Sequence, residues 1–269
     1  MEPALFLGIA AVASVVFVGI DLRAPSFRAA WSSDRFRLWR NVGYVAGNVV
    51  GMATLSVVNA WLSVHVPRLG SWQWAPLVLE VVACVVVAEL VNWLSHWVKH
   101  VSPWLWTFHL QHHVGRHYDT TLTLHTHPVD VVVSGAAMSA LLLVLGFGRF
   151  SVDVFVLAYF VTNLYKHNHR LMSLGSLLDR VIVGPAYHRV HHTLHAHGDA
   201  AALGPDLDRR VASRRGENYG SVLTLFDVVF GTAVWPHAGI EQEPVGVKET
   251  PERGFVDEML LPLKGRPGA

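Results

Sequence analysis

The chain has 269 residues, of which 52% are hydrophobic and only 15% charged, a balance that fits an integral membrane protein and not a soluble globule. A formal net charge of +1 gives no electrostatic footprint for nucleic acid. The single cysteine, Cys84, lies inside an apolar run. It excludes an intrachain disulfide, a thiolate cluster or an iron–sulfur centre built from this chain alone, so electrons for any redox chemistry are expected from another protein.

In chain order, Pro3 to Ile20 carry no charge and are closed by Asp21. With neither a basic leader nor a small-residue cleavage site, they predict a retained span. The next stretch holds Arg23, Arg28, Arg35, Arg37 and Arg40 and reads as a polar cytoplasmic loop, the most basic short one in the chain. A second span is predicted over 42–64, rich in the small residues that let membrane helices approach closely. A short outer loop with Arg68 follows, and a third span runs from Trp74 to Trp97. Residues 129–147 and 151–165 form an apolar hairpin, either fully crossing or re-entrant, joined through Gly146 to Arg149. Parity returns everything beyond it to the arginine-rich side. No later run is long enough to cross; 198–218 reads as an exposed loop and the polar tail as a loosely packed strap. The expected fold is therefore all-α. It is an integral membrane helical bundle of about three full spans plus a hydrophobic hairpin, carrying a cytoplasmic histidine-rich helical cap. Its divisions are 1–95 (transmembrane helices), 96–236 (histidine-rich region with the hairpin 129–165) and 237–269 (tail).

Of 17 histidines, 15 lie between positions 96 and 197. On helices, His96 and His100 are spaced i, i+4, while His109, His112 and His113, and again His188, His191 and His192, are spaced i, i+3, i+4, so each set projects from one side of its helix. A lone histidine such as His65 or His237 is ordinarily a core or surface residue. Eight imidazoles gathered at a membrane surface are better satisfied by metal, and three such sets have room for more than one ion. Glu89 lies on the same helical stripe, two turns deeper than His96. A carboxylate within a span costs roughly 2.5–3.5 kcal/mol on insertion scales and calls for a polar neighbour. Glu89 is expected to receive an imidazole N–H or to order the ligands from behind. Glu80 falls off that stripe and is given no role.

The run HWVKH, HLQHH, YKHNH, PAYHRVHH and NYGSVLTLFDVVFGT, covering about 89–232, resembles the fatty acid hydroxylase superfamily, also called the sterol desaturase family, of integral membrane non-haem di-iron oxygenases. The resemblance implies that His96, His100, His109, His112, His113, His188, His191 and His192 ligate metal, with His167 as the lone histidine that follows the hairpin. Glu89 falls where the family carries an acidic residue, and His127-Pro128 looks like the His-Pro of many bacterial members, which would place His127 behind the ligands. His169 stands where an Asn is often found and is carried as an added ligand. His117, His125, His195 and His197 match nothing. Asn218-Tyr219-Gly220 and Asp227 to Thr232 carry no acid-base or redox chemistry of their own and are read as packing.

The implied cofactors are two iron ions, with O2 as co-substrate and zinc as a contaminant able to displace ferrous iron at nitrogen sites. The implied reaction is hydroxylation of an unactivated C–H bond of a lipid, with desaturation as the alternative at the same site. The implied partners are the membrane, a lipid substrate and a separate ferredoxin- or cytochrome-type electron donor with its reductase. The expected location is a bacterial inner membrane, with the histidines on the cytoplasmic side by parity with the arginine-rich loop. A membrane zinc hydrolase is the competing enzyme class, but such enzymes keep a carboxylate beside the metal, as in HExxH, and no His-Glu pair occurs here. A metal transporter would hold its ligands near the bilayer midplane, whereas these sets fall beyond the predicted span ends.

Overall fold

The computed structural model describes residues 2–33, 37–170, 172–194, 217–247 and 254–263. Arg35, His195, His197 and most of the expected 198–218 loop lie outside them. Ten α-helices carry the described fold: α1 (Pro3–Leu22), α2 (Pro25–Ser33), α3 (Arg37–His65), α4 (Leu77–Val101), α5 (Pro103–His113), α6 (Pro128–Val144), α7 (Arg149–Lys166), α8 (Pro185–His192), α9 (Leu225–Phe230) and α10 (Phe255–Met259). Among the described residues there is no strand, only two isolated antiparallel bridges, Ile182 with Leu223 and Thr193 with Val245.

Three helices, Ala4–Leu22, Arg37–His65 and Leu77–Val101, are long and apolar enough to cross a membrane, and Pro128–Val144 is a shorter apolar helix. α3 packs along α6, α4 along α7, and α1 along α7. Small residues permit the α3–α6 contact: a Cβ added to Gly135 would stand 2.4 Å from Leu55 Cδ2. The hairpin turn docks onto the loop between α3 and α4. Leu69 and Gly70 donate their amides to the Val144 carbonyl at 2.8 and 3.1 Å, and Trp72 Nε1 donates to Leu145 O at 3.1 Å. Gly146, at φ 76° with Gly70 O only 2.0 Å from where a Cβ would sit, has to be glycine. Glu80, given no role from the sequence, accepts the Gly148 amide at 2.6 Å. The hairpin tip thus reaches the far ends of α3 and α4.

Two expectations are corrected. Arg37 and Arg40 are not loop residues: they open α3 and are buried. Arg37 forms an ion pair with buried Asp119 and stacks over Trp31, 5.0 Å from the ring centroid. Arg37 turned inward because the opposing carboxylate, far away in sequence, compensates its buried guanidinium, whereas Arg23 and Arg28 stay exposed. The described part of the tail is not a loose strap either, because Val247 and Leu261 join Leu110 and Val114 in one apolar cluster. Buried Glu258 accepts from Tyr44 Oη at 2.5 Å, and its carbonyl accepts from Gln111 Nε2 at 2.8 Å. Of the predicted exposed loop, Asn218 is described and is fully buried.

Replacing Arg37 by Met would leave Asp119 buried without its cation. Such a change is expected to destabilise by about 3–5 kcal/mol, read as a lowered melting midpoint in detergent, with most of the loss recovered when Asp119 is made Leu as well.

Candidate metal centre

The ends of α4, α5, α7 and α8 meet on one side of the bundle. Short caps set their directions: Ser102 Oγ accepts from Leu105 N at the start of α5, and Pro103, Pro128 and Pro185 each open a helix at the position where a missing N–H costs nothing.

Nine histidines converge there in two groups. His96, His100, His109, His113 and His191 form the first, and His112, His167, His188 and His192 the second, with the candidate ligand atoms of each group within 4.8 Å of one another. The division leaves His96 and His100 together in the first group but cuts through the sets on α5 and α8. On α5 the i, i+4 pair His109 and His113 serves the first group, while His112, about 100° round the helix, serves the second. α8 reverses this, giving His188 and His192 to the second and His191 to the first.

The nitrogens face one another at contact distance. His113 Nε2 lies 3.2 Å from His109 Nε2, His167 Nε2 3.3 Å from His112 Nε2, His188 Nε2 3.1 Å from His167 Nε2 and His192 Nε2 3.2 Å from His188 Nε2. Metal–imidazole bonds of about 2.0–2.1 Å set adjacent ligand nitrogens roughly 3 Å apart, so these spacings fit a shared ion. Protein acceptors hold several rings from behind. Tyr219 O takes the His96 Nδ1 proton at 2.9 Å, Glu217 O that of His191 at 2.5 Å, Asn163 O that of His167 at 2.8 Å, and Asp130 Oδ2 that of His109 at 3.2 Å. Each such bond fixes the tautomer with a lone pair on Nε2. His96 Nε2 is accordingly buried with no hydrogen-bond partner among the described residues, as a ligand atom awaiting a cation would be.

The remaining site candidates lie elsewhere. His169 stands outside both groups, its Nε2 2.7 Å from Ser26 Oγ and its Nδ1 3.1 Å from Tyr118 O. His127 caps α6, accepting from Val129 N at 3.1 Å and donating to Met259 O at 3.3 Å. Among the described residues Glu89 hydrogen-bonds no imidazole; it accepts the amides of Ser221, Val222 and Leu223 at 2.6, 3.0 and 3.2 Å. It is linked to the histidines through that loop, whose Tyr219 carbonyl accepts from His96. The Asn218–Gly220 turn therefore does more than pack. Asp227 secures it, taking the Tyr219 and Gly220 amides at 2.8 Å each and the Trp93 indole N–H at 2.9 Å. His125 is buried against Asn41, its Nε2 2.8 Å from Oδ1, and His65 and His237 are exposed surface residues. Two groups escaped the sequence reading. Asp130 carried only the weak signal of a carboxylate two residues beyond His-Pro. Lys166, buried beside His167, makes no side-chain hydrogen bond or ion pair among the described residues, and its charged neighbours are Glu89, Lys99 and Asp227.

Burial above all, reinforced by Lys166 and the other imidazoles, holds His112 and His188 well below their ordinary pKa and His167 at about 3. Neutral imidazole is the ligating form. These depressed values make the folded state bind fewer protons than the unfolded one below 6.5. In the metal-free protein their stabilising contribution is therefore complete above that pH and lost as pH falls toward about 3. The melting midpoint of metal-stripped protein should decline across this window; a flat profile would contradict the assignment.

The family described as fatty acid hydroxylase matches residues 81–232 of the chain. An ornithine lipid hydroxylase, OlsE, of Rhizobium tropici is 28% identical over 226 residues, covering 82% of this chain and 61% of that protein. The chain thus spans somewhat under two thirds of that relative's length. No solved structure matches it significantly. With the match extending over more than half its length and containing all nine converging histidines, this chain belongs to the fatty acid hydroxylase family.

Proposed function

We propose that the protein is a membrane-bound, O2-dependent di-iron oxygenase that hydroxylates a lipid. The observation that carries this reading is the convergence of nine histidines, all buried but half-buried His112, into two adjoining all-nitrogen groups, a donor set suited to iron among other metals. His96, His100, His109, His113 and His191 would hold one ion, and His112, His167, His188 and His192 the other. Bound ferrous ions would supply reductive activation of O2, the balance being R–H plus O2, two electrons and two protons to R–OH and water.

The chain's own contribution is positioning. Carbonyls of Tyr219, Glu217 and Asn163, and the Asp130 carboxylate, aim the rings and fix their tautomers. Glu89 holds the 221–223 loop against α4, and Lys166 offers a buried cation beside the second group for a polar oxygen of the substrate. The packed lids formed by 217–232 and by the tail keep bulk water from the histidines. The groups lie at the ends of apolar helices, which suits an amphiphile whose chain stays in lipid while its head enters the site. OlsE's name directs attention first to lipids with an amino-acid head group. We place the histidine side in the cytoplasm, where a separate electron donor can reach it, and assign catalysis to 96–236.

Lipid mass spectrometry of cells with and without the chain tests this directly. A species heavier by one oxygen is expected, absent with His112→Ala and His191→Ala; loss of two hydrogens would mean desaturation, and no change in any lipid would sink the reading. Purified protein should hold about two metal ions, falling to about one in either variant. Glu89→Gln should keep its metal yet lose turnover about 10- to 100-fold, the usual cost of disturbing a group behind the ligands, which paired metal analysis and product assays would measure.

A further inference from the structure

An amphipathic helix in water turns its apolar residues inward, and α9 does the opposite. Its sequence is LFDVVF. The one charged residue, Asp227, is fully buried against the Tyr219 and Gly220 amides and Trp93, while Leu225, Val228 (55% exposed), Val229 (61%) and Phe230 face out. This inversion suits an apolar solvent.

A second exposed apolar stretch adjoins it. Met172, Leu174, Leu177 (76% exposed), Leu178 and Val181 project from the segment between α7 and α8. The two stretches are joined by the Ile182–Leu223 bridge and by the Thr224 amide donating to Val181 O at 3.0 Å. Asp179 and Arg180 lie within this second stretch, Asp179 taking the Leu174 amide at 2.9 Å and Arg180 reaching over the Trp235 ring. Such a mixture of long apolar and charged groups belongs at a headgroup boundary.

Glu89 sets the depth. It is the middle residue of α4, Leu77–Val101, itself apolar enough to span, and lies seven residues, or roughly 10 Å at 1.5 Å per residue, to the membrane side of His96. The 221–223 backbone is hydrogen-bonded to its carboxylate, so non-helical chain lies at hydrocarbon level, where its amides need an internal acceptor. That requirement explains a carboxylate in mid-span. α9 begins two residues further on.

We propose that α9 and residues 172–181 form a platform embedded in the bilayer leaflet on the histidine side, covered by the acyl chains of membrane lipids. Lipid at α9 lies against Phe230, whose ring centroid is 4.4 Å from that of Trp93, one turn from His96.

The test uses the full chain in phosphatidylcholine vesicles. Nitroxide is attached to Val228→Cys or Leu177→Cys with Cys84 replaced by Ala, and Glu241→Cys, on an exposed polar site, serves as the aqueous control. Collision with O2 should exceed collision with a water-soluble nickel chelate several-fold at Val228 and Leu177, and the order should reverse at Glu241. Unsubstituted protein in vesicles carrying a diazirine on the acyl chain should crosslink within 225–230. Nickel access at Val228 would overturn the proposal. Spin–spin broadening that grows with protein-to-lipid ratio, without crosslinking, would assign the face to a second copy and overturn it equally. Neither readout depends on the hydroxylase reading.

Discussion

Nine imidazoles, eight of them buried and His112 half-buried, have to be neutral and aimed inward together, and the structure around them is organised by that constraint. A buried imidazole ring with its back nitrogen unsatisfied is costly and rotationally undetermined. Carbonyls of residues 163, 217 and 219, and the carboxylate of Asp130, remove both problems for four rings. The elements supplying those acceptors are then secured in turn: Asp227 gathers the 219–220 turn, Glu89 the 221–223 amides, and Lys99 reaches Asp130 at 2.9 Å.

The same logic accounts for charge inside the bundle. Arg37, Glu89, Asp130 and Glu258 are each almost fully buried, and each is committed to a specific tertiary partner. Asp21 is a further case: as α1 ends it accepts the Thr120 amide at 2.8 Å, the Asn168 side chain at 2.7 Å and the His169 amide at 2.9 Å. The N-terminal helix, apolar and otherwise largely exposed, is thereby pinned to the chain beside His167. His169, which the resemblance made a candidate ligand, has its backbone in this clamp and its ring nitrogens on Ser26 and Tyr118.

The membrane side and the polar side are not separate layers. The hairpin α6–α7 begins at the cap residue His127, crosses to the α3–α4 loop and returns to His167, so the second histidine group depends on an element whose tip is packed at the far end. Conversely, the 221–223 loop descends along α4 to Glu89. Ligand geometry and helix packing are therefore a single cooperative problem.

The sequence by itself determined whatever rests on local periodicity. Apolar runs marked the long helices and the hairpin to within a few residues, and i, i+3, i+4 spacing put the histidines on helix faces, because both patterns are written within one or two turns. It did not determine how those faces are shared. The allocation of His112 to one group and its neighbour His113 to the other depends on how α5 sits against α4 and α8, which is a matter of interhelical packing. Backbone acceptors such as Tyr219 O have no side-chain signature at all. The Arg37–Asp119 pair and the docking of Glu258 on Tyr44 join residues far apart in the chain, so a basic stretch looked like a loop and a polar tail like a strap. Tertiary structure decided these because the energy of a buried charge depends on its partner, and partners at long range leave no period in the sequence.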